Sequence, residues 1–375
     1  MRLRNPVKPL LNWVRRERLL SFLIVATPVL IALTGVSPGA LPALVDWHTM
    51  AALTGLMLLS GAVQWSGMIH YGAIRILHHV HSERLLATVL CIVAATLAAV
   101  ITNDVALFII IPLTLAVGII VRLPLARLII FQTLAVNAGS ALSPIGNPQN
   151  LFLWQSSGES FAAFTLAMLP MAVPFAVTLG AGILIAFRNR RLELSALPEK
   201  TVAVDSRLFW PTLALYPGFL GALEFGYGWP ATLLLLLVYG CWQRRRLLRI
   251  DWALLLLFLL LFTHLGMITQ MPLMQSMATN VLQLPGSELT AGILLSQLIS
   301  NVPATLFLQP FTDDWRLLAW GVNIGGFGLA IGSLANLIAL RLAKQPGLIW
   351  QFHLWSTPCL IVSSILTAGI FLIIQ

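Results

Sequence analysis

Long apolar stretches alternate with short charged segments along the whole chain. Several of these stretches contain no Asp, Glu, Lys or Arg, namely residues 19–45, 128–158, 160–187, 252–287 and 345–375. A helix that crosses a lipid bilayer needs about 20 consecutive apolar residues. The pattern therefore predicts an all-α polytopic membrane protein.

The lengths of the apolar stretches separate full spans from helical hairpins. Residues 84–101 with 104–121, and 288–300 with 303–311, form two pairs, each joined by a short polar turn. The second pair is too short to cross a core of about 30 Å, because its segments rise only about 20 and 14 Å. We predict that both pairs are re-entrant hairpins. About nine full spans are expected near residues 19–36, 49–68, 126–155 (broken), 161–187, 208–223, 229–243, 252–269, 315–343 (broken) and 349–374.

The positions of the charges give these spans an orientation. Of 375 residues, 58% are hydrophobic and 9% are charged, and the formal net charge is +9. Soluble domains are about one quarter charged, so this composition excludes an ordinary soluble enzyme. With a cytoplasmic N-terminus, nine spans place every Lys and Arg inside except Arg316. The basic clusters therefore indicate membrane topology rather than nucleic-acid binding, and the C-terminus is predicted to lie outside.

An internal repeat relates the two halves of the chain. "TNDVALFIIIP" (102–112) aligns with "SNVPATLFLQP" (300–310), and "NAGSALSPIGNPQNL" (137–151) aligns with "NIGGFGLAIGSLANL" (323–337). An odd number of predicted crossings separates the halves, so we predict two inverted-topology repeats, as in secondary transporters. The predicted regions are a basic cytoplasmic arm (1–18), a first repeat (19–187) with an inner hairpin (84–121), a cytoplasmic linker (188–207), and a second repeat (208–375) with an outer hairpin (288–312).

Each repeat contains a helix that its own sequence interrupts. Pro144, Gly146 and Pro148 lie inside an apolar stretch, and freed backbone groups are tolerated in a bilayer only if they line a cavity or are covered by protein. Freed carbonyl oxygens suit Na⁺, and a half-helix N-terminus suits an anion. The two prolines correspond to Ala330 and Leu334 in the second repeat, so we predict that the first break is the more rigid.

The candidate residues lie at the two hairpin tips and the two breaks. The cation-binding and site-forming set is Thr102, Asn103, Ser143, Gly146, Ser300, Asn301, Ile331, Gly332 and Ser333. The substrate-binding set is Asn103, Asp104, Asn137, Asn147, Asn150, Asn301, Asn323 and Asn336. The helix-breaking residues are Pro144 and Pro148. We expect no catalytic residue, no structural metal and no cofactor, with Na⁺ or H⁺ as the coupling ion.

Asp104 is the only carboxylate that the predicted spans place at membrane depth. An ionisable group at that depth is a functional candidate by default. The sequence leaves three roles open for it: cation ligand, proton carrier, or N-terminal cap of the second hairpin helix. Its counterpart in the second repeat is Val302, so the two tips are predicted to differ chemically.

These tips and breaks resemble those of the ion transporter superfamily, which includes arsenite permeases and Na⁺-coupled dicarboxylate and citrate carriers. The resemblance rests on "TNDVALF" and "SNVPA" at the tips and on "GNPQN" at the first break, and it covers nearly the whole chain. It implies a homodimer in a bacterial inner (plasma) membrane. It also implies elevator-like alternating access, in which a mobile part carries both hairpins and both broken helices against a scaffold.

Three functional hypotheses follow. The first is a secondary active transporter of a small, anionic solute coupled to Na⁺ or H⁺. The second is a cation/proton antiporter that uses Asp104, and the third is a non-transporting membrane scaffold or receptor. The expected partners are the lipid bilayer, a small-molecule or ion substrate and a second copy of the chain, and nucleic acid is not expected. The first hypothesis predicts that Asn103→Ala or Asn301→Ala abolishes transport without loss of folded protein.

Overall fold

Helices account for nearly all of the described structure. A computed structural model describes residues 18–77, 79–121, 123–192, 203–283, 286–312 and 314–374. Within these ranges there are α-helices, short 3-10 helices and a single antiparallel bridge, but no β-strand. Apart from Arg18, the predicted arm (1–18) lies outside the described residues, as does the middle of the predicted 188–207 linker.

The described ranges contain 19 α-helices. Those of the first half are α1 (Arg18–Thr34), α2 (Trp47–Trp65), α3 (Met68–Leu77), α4 (Glu83–Val100), α5 (Asn103–Ile120), α6 (Leu125–Ser140), α7 (Pro148–Ser157), α8 (Phe161–Met168) and α9 (Ala172–Ala186). Those of the second half are α10 (Ser206–Glu224), α11 (Gly228–Trp242), α12 (Arg244–Leu247), α13 (Trp252–Ile268), α14 (Pro272–Val281), α15 (Ser287–Ile299), α16 (Asn301–Leu308), α17 (Trp315–Gly325), α18 (Leu334–Ala343) and α19 (Leu348–Ile374). Short 3-10 helices occupy Pro38–Leu44, Leu169–Met171, Gln309–Phe311 and Ala330–Gly332. The predicted all-helical fold is confirmed.

Several helices have the length and composition of membrane spans. Three helical segments, Glu83–Val100, Phe161–Ala186 and Leu348–Ile373, could each cross a membrane alone. Three bent pairs raise this number to as many as six if each pair is one span, and their bends, in chain order, are 107°, 54° and 91°. The protein is therefore a multi-pass membrane protein. The total of nine spans and the side of each terminus remain predictions.

The same order of elements occurs twice along the chain. A capped helix with a bent continuation (α2–α3, α13–α14) precedes a hairpin (α4–α5, α15–α16) and then an interrupted helix (α6–α7, α17–α18). The carboxylate of Asp46 caps α2 by accepting hydrogen bonds from the backbone N–H groups of His48 and Thr49, at 3.0 and 3.1 Å. Asp251 caps α13 in the same way, from Leu254 N–H at 3.0 Å. Hence two similar sequences, "VDW" (45–47) and "IDW" (250–252), begin equivalent helices.

The two repeats interlock through their hairpins. The first arm of each hairpin packs along the first half of its own broken helix, α4 on α6 and α15 on α17. These contacts are close, because a Cβ atom at Gly139 would lie 2.0 Å from the carbonyl oxygen of Ala95, and one at Gly321 would lie 2.4 Å from that of Leu289. The second arm packs on both repeats: α5 contacts α6 and also α18 of the other repeat, and α16 contacts α17 and also α7 of the other repeat. We call helices α4–α7 and α15–α18 the central group.

A second set of helices lies beside the central group. Helices α1, α2, α10, α11 and α13 pack mainly on one another, and we call them the flanking group. They meet the central group through α2 on α7 and α13 on α16. The long helix α19 packs on α9 and α6 at the other side. A cavity lies between the flanking group and the central group.

Candidate functional site

The first hairpin tip lies against the first break. The backbone N–H of Asn103 donates a 2.8 Å hydrogen bond to the carbonyl oxygen of Gly146. Only glycine fits there, because a Cβ atom at Gly146 would lie 2.2 Å from the carbonyl oxygen of Ser140. Asn103 is buried, and its side-chain oxygen accepts a hydrogen bond from Asp104 N–H at 2.9 Å. In this repeat the hairpin tip therefore meets the break.

The carboxylate of Asp104 does not cap α5. Thr102 is the residue that precedes the helix, and the backbone N–H groups of this first turn receive no capping bond from the Asp104 carboxylate in the described structure. Asp104 lies in the first turn, half-buried, and its side chain lines a cavity. Of the three roles that the sequence left open, cation ligand and proton carrier remain.

The second hairpin tip is built differently. Ser300 has φ +77° and ψ 154°, a conformation that residues with a side chain rarely adopt. Asn301 is buried, and its side-chain oxygen accepts a hydrogen bond from Val302 N–H at 2.9 Å. Although both residues are described, no hydrogen bond joins Asn301 to Gly332. The tip of this repeat therefore does not reproduce the Asn103–Gly146 contact.

Gln297, one turn before the second tip, makes the contact to the second break. Its amide nitrogen donates to the carbonyl oxygen of Gly325 at 2.9 Å, and its amide oxygen accepts from Leu329 N–H at 2.7 Å. Gln297 is not among the candidate residues predicted from the sequence. The available signal was a polar amide in an apolar hairpin arm, one helical turn from the tip.

Four asparagines join the two broken helices in a reciprocal pair of hydrogen bonds. Asn137 donates to the side-chain oxygen of Asn336 at 2.8 Å, and Asn323 donates to that of Asn150 at 2.7 Å. The internal repeat pairs Asn137 with Asn323 and Asn150 with Asn336. The two bonds are therefore equivalent, and an approximate two-fold rotation relates the repeats.

The same rotation relates the hydrogen bonds that close each break. Asn150 donates to the carbonyl oxygens of Ser140, Ala141 and Ser143, at 3.4, 2.9 and 3.0 Å. Asn336 donates to the equivalent carbonyl oxygens of Gly326 and Leu329, at 3.0 and 3.3 Å. These bonds satisfy backbone groups that the breaks release.

Asn147 and Ser333 occupy equivalent positions at the start of the two second half-helices. Asn147 caps α7 at Asn150 N–H and donates to the side-chain oxygen of Asn323 at 3.0 Å. Ser333 caps α18 at Ala335 N–H and donates to the side-chain oxygen of Asn137 at 3.2 Å. Both residues therefore link a half-helix N-terminus to the opposite repeat.

A cavity of about 500 Å³ lies between the flanking and central groups. Its central wall comes from α5, the first break, α7 and α18, and its flanking wall comes from α1, α2 and α13. Five candidate residues line it: Thr102, Asn103, Asp104, Asn147 and Pro148. The remaining candidates lie outside its lining: Asn137, Ser143, Pro144, Gly146, Asn150, Ser300, Asn301, Asn323, Ile331, Gly332, Ser333 and Asn336.

Charged side chains also line this cavity. Arg341 follows the lining residues Leu334 and Ile338 along one face of α18, at helical spacing. Arg249 and Asp251, next to the start of α13, line it as well. In the sequence both arginines indicate only the cytoplasmic side of the membrane. Their approach to the hairpin tip depends on how α13 and α18 pack, which no local motif indicates.

Two flanking side chains hold the backbone of the first hairpin tip. The hydroxyl oxygens of Ser60 on α2 and Tyr216 on α10 each lie 3.1 Å from the carbonyl oxygen of Ile101, and they lie 2.8 Å from each other, so the three oxygens form one hydrogen-bonded group. Ser60 and Tyr216 are buried. This contact joins the flanking group to the central group beside the cavity.

Comparisons with known proteins agree with this architecture. The sequence profile of the citrate transporter family (CitMHS) matches residues 10–314. The inner membrane protein YbiR of Escherichia coli K12 is 42% identical over 355 residues, 94% of this chain and 95% of YbiR. The uncharacterized transporter MJ0456 of Methanocaldococcus jannaschii is 31% identical over 339 residues, 87% of this chain and 89% of MJ0456. The silicon efflux transporter LSI3 of Oryza sativa subsp. japonica is 27% identical over 168 residues, 44% of this chain and 34% of LSI3.

Proposed function

The chain belongs to the citrate transporter family, and on that premise we propose that it is a secondary active transporter of a small, anionic solute. It is a membrane transporter and not an enzyme, as the family and the relatives named as transporters indicate. Citrate is the solute in the family's name, and silicon is the solute in the name of the more distant relative LSI3. Because these names give different solutes, family membership does not identify the solute of this chain. The solute has to be inferred from the residues of the site.

The observation that carries the proposal is the cavity that ends where the first tip meets the first break. Its volume of about 500 Å³ lies within the range of small-molecule sites, about 300–1,000 Å³. Helices α5 and α7 both begin at this cavity, with Asn103 and Pro148 as their first residues. The positive ends of two helices and the side-chain amide nitrogen of Asn103 suit an anion without a buried cationic side chain.

Charged groups of both signs line the cavity. Two arginines, Arg249 and Arg341, are matched in number by two carboxylates, Asp104 and Asp251, so these side chains add no net charge that would select an anion. Both arginines belong to segments that the charge pattern places in the cytoplasm. We propose that this conformation is open to the cytoplasm.

The arrangement of helices suits elevator-like alternating access. The cavity separates the flanking group, as scaffold, from the central group, which carries both hairpins and both broken helices. Movement of the central group past the scaffold would expose the same site to the other side. A homodimer formed through scaffold helices is part of this proposal.

A second candidate, a cation/proton antiporter, is favoured by the position of Asp104. The carbonyl oxygens of Ser140, Ala141 and Ser143 accept bonds from Asn150, so the protein itself occupies groups that would suit Na⁺. Asp104 lines the cavity without capping a helix. This arrangement favours H⁺ as the coupling ion in either candidate.

Binding of the solute tests the main proposal. We would measure the thermal stability of the lipid-reconstituted chain with citrate, succinate, phosphate and silicate, with and without Na⁺. A solute that binds only the folded state raises stability. We expect one of these solutes to do so, and Asn103→Ala to remove the effect. The exposed residue Asn280 gives a matched control, Asn280→Ala. No stabilisation by any solute, or full stabilisation of Asn103→Ala, would refute the proposal.

The pH dependence of exchange separates the two candidates. If Asp104 carries the proton of an antiporter, Asp104→Asn removes the pH dependence of cation exchange in proteoliposomes. Asp46→Asn is the matched control, because Asp46 caps α2 away from the cavity and asparagine also caps helices. Unchanged pH dependence in Asp104→Asn would reject the antiporter.

A further inference from the structure

A histidine outside the repeats' motifs holds the backbone of the second break. The backbone N–H of Ala330 donates a 3.0 Å hydrogen bond to Nε2 of His353, which lies near the start of α19. Ala330 is buried, and His353 is half-buried. The imidazole lies beside the rings of Trp350 and Phe352, at centroid distances of 6.5 and 6.1 Å. Since Nε2 is the acceptor, this bond requires the tautomer with its proton on Nδ1.

The two repeats differ in how they avoid an unpaired backbone N–H at equivalent positions of their breaks. The repeat aligns Ala330 with Pro144 of the first break. Proline has no backbone N–H, so the first break has no donor at this position. Alanine keeps its N–H, and a buried N–H without a partner is costly. His353 is the acceptor that this extra donor requires.

We propose that His353 is a positioning residue that fixes the second break by accepting the hydrogen bond of Ala330 N–H, the donor that proline removes in the first repeat. Gln297 fixes the neighbouring Leu329 N–H, so two side chains from two helices hold consecutive backbone groups of the break. The structural role of this hydrogen bond does not depend on the proposed function. Only the importance of the bond for transport rests on the proposed function.

The backbone conformation at Ala330 is compatible with proline, which has no N–H and therefore needs no acceptor such as His353. Ala330 is the first residue of a 3-10 helix, a position where proline is accepted. Leu329 has φ −63° and ψ 158°, the extended conformation preferred before proline. Ala330→Pro therefore removes the donor while keeping the local conformation.

Hydrogen–deuterium exchange over residues 326–333 tests the proposal without any transport assay. The full chain would be measured in lipid nanodiscs as wild type, His353→Met and His353→Gln. Glutamine places an amide oxygen about where Nε2 lies, whereas methionine has similar length and no strong acceptor. We expect exchange about tenfold faster in His353→Met and near wild type in His353→Gln.

A second pair of variants removes the donor instead of the acceptor. In an Ala330→Pro background, His353→Met should cause no further increase in exchange over the same segment. Equal exchange in wild type and His353→Met would overturn the proposal, as would an equally large effect of His353→Met with and without Ala330→Pro. If Ala330→Pro does not fold, the comparison of methionine with glutamine still decides.

Transport is a separate readout. If the wild-type chain transports solute, His353→Met should reduce the rate and His353→Gln should restore it. Faster exchange in His353→Met without any wild-type flux would support the positioning role while contradicting the proposed function. Unchanged exchange in His353→Met together with normal wild-type flux would overturn the positioning role while supporting the proposed function.

Discussion

At the scale of single residues, the candidate asparagines divide into those that line the cavity and those that do not. The side-chain amides of four asparagines hydrogen-bond to each other and to freed carbonyl groups, and these residues do not line the cavity: Asn137, Asn150, Asn323 and Asn336. Asn103 lines the cavity beside the first break. The sequence identified all of these residues as a set through the repeat. It could not divide them, because the amide-to-amide bonds join residues of opposite repeats and the position of the cavity depends on tertiary packing.

Glycine at the first break is required by space rather than by an unusual dihedral. In Gly146→Ala the new methyl group would meet the Ser140 carbonyl oxygen, a backbone atom that cannot move aside cheaply. We expect a loss of about 1–3 kcal/mol in stability, as for overpacked interiors. Thermal denaturation of the reconstituted chain measures this loss.

Gly180→Ala is the matched control for this substitution. Gly180 lies in α9 with open space around its Cβ position, so an added methyl group meets nothing. Alanine also favours a helix over glycine. Equal stability losses in the two variants would contradict the close approach at Gly146.

At the scale of elements, the two breaks differ in exposure as well as in sequence. The first break is buried throughout except for a half-buried Leu142, whereas Leu329 and Ile331 of the second break are 40% and 45% exposed. The prolines predict a more rigid first break, which stays a prediction, whereas the difference in exposure was not predicted. Of the side chains that hold the second break, Gln297 has a local signal as a polar amide near the hairpin tip, whereas His353 has none, because it reaches the break from another helix.

Amide exchange should therefore differ between the breaks. We expect residues 326–333 to exchange faster than residues 141–147 in the wild-type chain, because the second break lacks the prolines and is more exposed. Mass spectrometry of the reconstituted protein measures both segments in one experiment. Similar rates in the two segments would show that the prolines do not stiffen the first break.

The sequence predicted most elements to within a few residues, including both hairpins and both interrupted helices. These elements have strong local signals: apolar runs, paired polar turns and helix-breaking residues. Helices α3 and α14 were not predicted as separate elements. Each continues an apolar helix after a bend of 54° or 91°, and the direction of a bend depends on tertiary contacts.

At the scale of the whole molecule, the contact of Ser60 and Tyr216 with the first hairpin joins the two groups of helices. If the central group moves during transport, this contact belongs to the conformation described here. Replacing both donors, as in Ser60→Ala with Tyr216→Phe, leaves the Ile101 carbonyl without those side-chain partners. A lost buried hydrogen bond costs about 1–3 kcal/mol.

The double variant should therefore populate this conformation less. Phe108 lines the cavity, so a cysteine at that position, in a chain whose Cys91, Cys241 and Cys359 are replaced, reports the opening. We expect a membrane-impermeant thiol reagent to label it at least about fivefold more slowly from the open side in the double variant. Unchanged or faster labelling would show that the contact does not hold the two groups together.

The central claim is that solute crosses the membrane through the site at the first hairpin tip. The direct measurement is uptake into proteoliposomes of the solute that stabilises the protein, under imposed Na⁺ and H⁺ gradients. We predict gradient-driven uptake by the wild type and Asn280→Ala. We predict none by Asn103→Ala or Asn301→Ala, although both remain folded. Absence of wild-type uptake under every gradient, or full uptake by Asn103→Ala, would contradict the account.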